Sequence, residues 1–399
     1  MIFNTGWFVV FFLIFYFLFW LVPNARLRFF YVLGASAIFH YHFAGPAGVR
    51  PIIVMAVFTF GFGLWLARVE NGTRTKRAVF VAALLVPVTG LLYFKYRGLL
   101  ASLVFWHQRT PAAPDVTPAL PLALSFFTFE FVHYLTDVYH GSPAIRNPFQ
   151  FGIFTIFFPS IVSGPIKRFQ PFLAQVREGI PRPDATRVTL GAAQVLMGFF
   201  KKLVVADNAA LLIKYVESES AESRAKVLTL MVLLSVRILF DFSGYSDIAI
   251  GLGRMMGLEL PANFRYPYIA QNISDFWQRW HMSLTSWIRD YIYIPLGGSR
   301  GRPFQRVFNL ALTMFLCGLW HGAKWHFGVW GLYHGVGLGV HSAWERWGFR
   351  QRTARLAVPA WIGILATDVF VAFGWLLFFY PVNRVVQMTG ILLGLSGAR

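Results

Sequence analysis

Phe8-Val-Val-Phe-Phe-Leu-Ile-Phe-Tyr-Phe-Leu-Phe-Trp-Leu-Val22 contains no charged residue. Two other runs, Phe80–Phe94 and Ile362–Tyr380, carry few or none. Such runs approach the roughly 20 residues that a bilayer-spanning helix requires. The rest of the chain agrees: of 399 residues, 56% are hydrophobic, 18% aromatic and only 13% charged, and the mean hydropathy is +0.55. An ordinary soluble domain carries about 25% charged residues. A disordered chain, a disulfide-stapled secreted module and a water-soluble globular fold are excluded. The sequence reads as an all-α polytopic membrane protein, with roughly nine to eleven transmembrane helices plus re-entrant or interfacial ones.

The formal charge is +19, from 36 Lys and Arg against 17 Asp and Glu. The basic residues gather in short segments between apolar runs, the pattern that orients membrane helices with those loops in the cytoplasm. Anionic lipid headgroups explain the excess more simply than a nucleic-acid partner. On this bias Arg26 and Arg28, and Arg68, Arg74, Lys76 and Arg77, lie in cytoplasmic connections, with the N-terminus outside. Because that terminus lacks a basic n-region and a small-residue cleavage site, it is expected to be a retained first helix. Expected spans include Phe3–Val22, Phe29–Phe43, Pro51–Ala67, Ala78–Phe94, Val188–Val205, Lys226–Asp241, Gln305–Trp320, Trp325–Trp344 and Leu356–Tyr380. Phe149–Gly164 is expected to be broken or re-entrant, and the Pro-rich His107–Pro121 to be an extracytoplasmic loop. One integral membrane domain is expected to cover 1–399: N-terminal spans in 1–118, a central core in 119–345 and a C-terminal span in 346–399.

Polar residues are costly in hydrocarbon and mark candidate sites. The densest cluster is Asn272–Tyr293, where Phe276, Trp280, Leu284, Trp287 and Tyr291 would share one face of a continuous helix, Trp277 and Ile288 would widen it, and His281 would fall at its edge. An interfacial amphipathic helix anchored by its Trp residues has the same pattern. His321 closes the apolar run Leu310–Trp320 beside Gly322, where a neutral imidazole can accept a proton from a hydroxyl; a helix-end histidine bonded to a carbonyl is the plainer alternative. Lys324 would perturb it or bind an anion. His321, His326, His334 and His341 do not have zinc-ligand spacing, and no metal site is expected. The single cysteine, Cys317, excludes an intramolecular disulfide or a cysteine-built cluster. Arg237 and Asp241 are expected to pair at i, i+4, and Glu130 and Asp137 to be internal pairing residues.

Several of these stretches resemble a known family. Asp241-Phe-Ser-Gly-Tyr-Ser-Asp247, Pro261-Ala-Asn-Phe264, Asp275-Phe-Trp-Gln-Arg-Trp-His-Met-Ser-Leu284, Arg289-Asp-Tyr-Ile-Tyr-Ile-Pro-Leu-Gly-Gly-Ser-Arg300 and Gly318-Leu-Trp-His-Gly322 are similar to the membrane-bound O-acyltransferases. The likeness is to the bacterial branch that holds the alginate O-acetyltransferase and the D-alanyl-lipoteichoic acid transfer protein. It covers most of the chain from residue 120 onward.

The resemblance implies a helical ring around a central funnel, where a cytoplasmic and an extracytoplasmic entrance meet near a catalytic histidine. That histidine maps onto His321, and a second functional histidine maps onto His281; which does what is left open. Trp277, Trp280, Asn272 and Lys324 are the candidate substrate-binding residues. The implied reaction moves an acyl group, expected to be acetyl from acetyl-CoA, to hydroxyls of a cell-surface polysaccharide, with no bound cofactor. The protein itself is expected in the bacterial inner membrane, with a periplasmic serine-hydrolase-like partner. D-alanyl transfer from a carrier protein, with a teichoic-acid-like acceptor, is the alternative, and the chain's end soon after Tyr380 sets it apart from the longer alginate-type proteins. A transporter or a scaffold for surface-polymer modification is the reading from a different class.

Overall fold

Every regular element among the described residues is helical. The computed structural model describes residues 2–104, 120–346 and 359–395. All but the last two residues of the expected loop His107–Pro121 lie outside these, as do Arg350, Arg352 and Arg355, which the charge bias puts in a cytoplasmic connection before the last span. Ala25–Leu66, Arg74–Leu103, Ala185–Ser218, Arg224–Met255 and Ala360–Phe379 are long and apolar enough to cross a bilayer. The protein is a polytopic membrane protein.

The chain divides into two units. The first comprises Met1–Gly198 and Tyr245–Pro261. Its helices are α1 (Gly6–Leu21), α2 (Ala25–Leu66), α3 (Arg74–Leu91), α4 (Arg97–Val104), α5 (Leu124–Tyr139), α6 (Pro148–Ile156), α7 (Phe169–Val176) and most of α8 (Ala185–Phe199). Local sequence sets the starts: Thr5, Asn24 and Thr73 accept backbone N–H bonds from Phe8, Leu27 and Lys76, which satisfies donors a helix start leaves open. The spans expected at Phe29–Phe43 and Pro51–Ala67 are two arms of α2. They meet at a kink where Gly45 has φ +63° and Pro46 follows. After α6 the chain leaves helical geometry until Phe169, so the segment Phe149–Gly164 is broken, as expected, at Phe157. Glu130 of α5 is buried and ion-paired with Lys167.

The second unit comprises Phe199–Gly244 and Ala262–Arg399. It holds α9 (Asp207–Ser218), the first part of α10 (Arg224–Met255), α11 (Ile273–Arg279), α12 (Met282–Ile288), α13 (Pro303–His321), α14 (Trp325–Arg346), α15 (Ala360–Phe379) and α16 (Val382–Leu393). Two expectations are corrected here. The helix begun at Arg224 does not end near Asp241 but runs on to Met255. Arg237 and Asp241 do not pair. A π turn at Phe200–Ala206 precedes Asp207, and Lys202 Nζ bonds Asp241 Oδ1 at 2.8 Å as well as Asp207 Oδ1 at 2.6 Å, while the Arg237 guanidinium lies 5.4 Å from the Phe379 ring centre.

The tightest packing in this unit is between α13 and α14. A Cβ on Gly318 would stand 2.0 Å from the carbonyl oxygen of Phe327, and one on Gly331 would stand 2.1 Å from that of Met314. The two backbones therefore touch where a methyl group has no room. Neither helix is among the five long apolar spans; their association rests on close van der Waals contact that small residues permit.

Gly331→Ala is expected to lower the thermal midpoint in detergent, with a cost of about 1–3 kcal/mol for overpacking. Gly34→Ala, in α2 with nothing within 4 Å of its Cβ, is expected to leave it unchanged or slightly raised. Equal midpoints for both variants would contradict backbone contact at the seam.

Candidate active site

The cluster from Asn272 is not one helix. Asn272 caps α11, its Oδ1 accepting the Asp275 N–H at 2.8 Å, and Arg279 returns to Asp275 at 2.7 Å. The helix then stops at Trp280, and His281 takes φ +43°. A non-glycine residue holds that left-handed conformation only where its surroundings fix it. Asn263 does so from the next strand of loop: its carbonyl accepts the Met282 N–H at 2.9 Å, and its Oδ1 accepts the Ser283 hydroxyl at 2.6 Å. The expected apolar face fails as a single stripe because this break resets the helical phase between α11 and α12.

The break turns His281 inward. The side chain is buried, and neither ring nitrogen has a hydrogen-bond partner. Phe242 meets it edge-on at 4.5 Å between centroids, and Trp320 lies 6.3 Å away. His281 is outside the five apolar spans, and burial, with the nearby His321 second, holds its imidazole well below the ordinary range.

His321 is the last residue of α13, and Gly322 leaves the helix in extended geometry. Unlike His281, it is only half-buried. Its ring is walled by Trp320 at 4.8 Å, Phe378 at 5.1 Å and Trp330 at 5.3 Å, the last perpendicular. Trp320 thus contacts both histidine rings. The arrangement offers one imidazole that an incoming group can reach, beside a second kept dry and neutral. It suits proton transfer at His321 and hydrogen bonding to a polar reactant from His281.

Trp277 and Trp280 are both buried. Trp277 packs against Trp330 at 5.9 Å, with its indole N–H unpartnered. Trp280 lies 4.9 Å from Trp375 and 5.1 Å from Phe264. Asn272, besides capping α11, lines an apolar groove of about 780 Å³ with Gln271, Tyr333 and Thr367. Lys324 is exposed in the short connection after α13. Cys317 is buried in α13, and His326 Nδ1 is engaged with the Leu377 carbonyl at 3.1 Å. Among the described residues no three His, Cys, Asp or Glu gather to hold a metal.

Sequence reasoning gave no place to Trp330, Trp375 or Phe378, and weighed His334 only as a metal ligand. His334 is fully buried with both nitrogens unpartnered, 4.9 Å from Trp330 and 5.3 Å from Trp277. The available signal was the i, i+4 spacing of Trp330 and His334, which puts both on one face of α14.

Residues 78–381 match the model of MBOAT, the membrane-bound O-acyltransferase family. The probable alginate O-acetylase of Azotobacter vinelandii is 37% identical over 348 residues, which cover 86% of this chain and 69% of that protein. The peptidoglycan O-acetyltransferase of Helicobacter pylori is 30% identical over 392 residues (91% and 72%). The teichoic acid D-alanyltransferase of Bacillus subtilis is 30% identical over 272 residues (64% and 68%).

Burial of His281 sets a sign for acid sensitivity. An unfolded imidazole takes up a proton near its ordinary value of 6.5, which the folded one resists. Its contribution to stability is thus full above that pH and falls away below it. In spectra of ¹⁵N-histidine-labelled protein, His281 is expected to remain neutral at about pH 6, and Phe242→Ala is expected to move its titration upward. An imidazolium signal from His281 at that pH in the unaltered protein would contradict the burial described.

Proposed function

The chain belongs to the membrane-bound O-acyltransferase family, and we propose that it carries an acetyl group from acetyl-CoA on the cytoplasmic side of a bacterial inner membrane to a hydroxyl on the outer side. The acceptor is a cell-surface polysaccharide or cell-wall polymer, reached with a periplasmic serine-hydrolase-like partner. The protein is an O-acyltransferase; donor, acceptor, partner and the roles of individual residues are the proposal. The observation that carries it is the half-buried imidazole at the end of α13, walled by Trp320, Trp330 and Phe378, beside a second imidazole that is wholly buried.

In this reading His321 takes the proton as the acceptor oxygen attacks the thioester carbonyl carbon. The carbon–sulfur bond then breaks, the ester carbon–oxygen bond remains, and the proton passes from His321 to the departing thiolate. The products are an ester and a free thiol. His281, neutral and with its nitrogens uncommitted, orients a reactant or polarises the carbonyl. Trp277 and Trp280 form the wall behind the reacting groups, and Asn272 and Lys324 contact substrate farther out. Only the acyl group crosses the barrier, so no charged carrier enters hydrocarbon. Acetyl is favoured over D-alanyl because identity is higher to the alginate-type relative than to the D-alanyltransferase.

His321→Ala is expected to lower acyl transfer about 10²–10⁴-fold at equal membrane abundance. Membranes of both forms, given radiolabelled acetyl-CoA or a D-alanyl-charged carrier protein, test role and donor together. Undiminished transfer by the variant would remove His321 from the chemistry. Transfer from the carrier protein alone would replace the donor.

A further inference from the structure

A second cavity lies wholly within the first unit. It has a volume of about 910 Å³ and opens between the α2–α3 connection and the segment after α5. Arg68, Lys76 and Arg146 line it, with Asn71, Ser142 and the single acidic residue Glu70. None of the three cations forms an ion pair with a carboxylate among the described residues.

Lys76 is the informative member. It is only 4% exposed, and its ammonium group donates to Asn71 Oδ1 and sits 5.9 Å from the Tyr139 ring centre. An ammonium has three protons to give. Burying one beside a neutral amide and a ring, with no carboxylate, leaves much of its lost hydration unreplaced. The two guanidinium groups at the rim are exposed and carry planar donor forks that match phosphate oxygens. The space far exceeds one inorganic ion and falls in the range of small-molecule sites.

We infer that this cavity is a binding site for an organic phosphate, held by Lys76 at its base and by Arg68 and Arg146 at its mouth. The charge bias of the α2–α3 connection places it on the cytoplasmic side. Two sources share that chemistry there: a soluble nucleotide-type phosphate and the headgroup of an anionic phospholipid. The inference does not depend on the catalytic assignment, since none of its residues belongs to the histidine cluster.

The test uses the full chain in nanodiscs of phosphatidylcholine. Calorimetry with adenosine 3′,5′-bisphosphate is compared between the unaltered protein and the Arg68→Gln/Arg146→Gln double variant, whose exposed positions leave the fold intact. In parallel, native mass spectrometry follows retention of phosphatidylglycerol by both. A loss of nucleotide affinity of about tenfold or more in the double variant supports the site and names the soluble source, as each 1.4 kcal/mol is a factor of ten. Loss of retained phosphatidylglycerol, with nucleotide binding unchanged, supports it and names the lipid. The inference is overturned if neither ligand distinguishes the two proteins. His321→Ala is expected to leave either signal unaltered, so failure of the catalytic reading and of this one are separable.

Discussion

Backbone contact between α13 and α14 is the constraint on which the histidine cluster rests. Gly318 and Gly331 let the helices approach until a methyl group would collide with carbonyl oxygen. His321 stands one turn beyond the first of these glycines, and Trp330 immediately precedes the second. The 5.3 Å perpendicular meeting of imidazole and indole therefore follows from the seam. A bulkier residue at either glycine would part the helices and move the two rings with them.

Around that seam the protein tolerates polarity that a purely structural interior would shed. His281 and His334 are buried with all four ring nitrogens unpartnered. An unsatisfied buried group costs about 1–3 kcal/mol. In the first unit the buried carboxylate of Glu130 closes onto Lys167, although His40 is buried there with both ring nitrogens unpartnered as well. Retaining uncommitted donors and acceptors beside a reachable imidazole makes physical sense where a reactant supplies the missing partners. The left-handed backbone at His281, pinned by Asn263, is a local cost of the same kind.

Much of this was legible in the sequence because hydrocarbon imposes a coarse and strict rule. Long apolar runs with few or no charges had to be helices, and Phe8–Val22 and Ile362–Tyr380 are helical along nearly their whole length. The kink in α2 falls at Gly45-Pro46, between the two spans expected there, and the expected break in Phe149–Gly164 comes early, at Phe157, two residues before Pro159. What periodicity could not show was a phase break. Asn272–Tyr293 reads as one amphipathic helix, since nothing in Trp280-His281 signals a left-handed residue; the turn is fixed by Asn263, eighteen positions before it. The Arg237–Asp241 expectation failed for a related reason. Helical spacing brings the two within reach, but it cannot weigh Lys202, which arrives from another element. His321 and His281 were paired only through their motifs, and His334 was weighed only as a metal ligand and set aside on its spacing.

The proposed chemistry requires a difference in access between imidazoles, and chemical labelling measures it directly. Membranes holding the full protein would be treated briefly with diethyl pyrocarbonate, and each histidine's modification read by peptide mass spectrometry, with and without saturating acetyl-CoA. His321 is expected to react in the folded protein and to be shielded by the donor, whereas His281 and His334 react only after denaturation. A His321 that stays unreactive, or that the donor fails to shield while His281 is modified, would contradict the account.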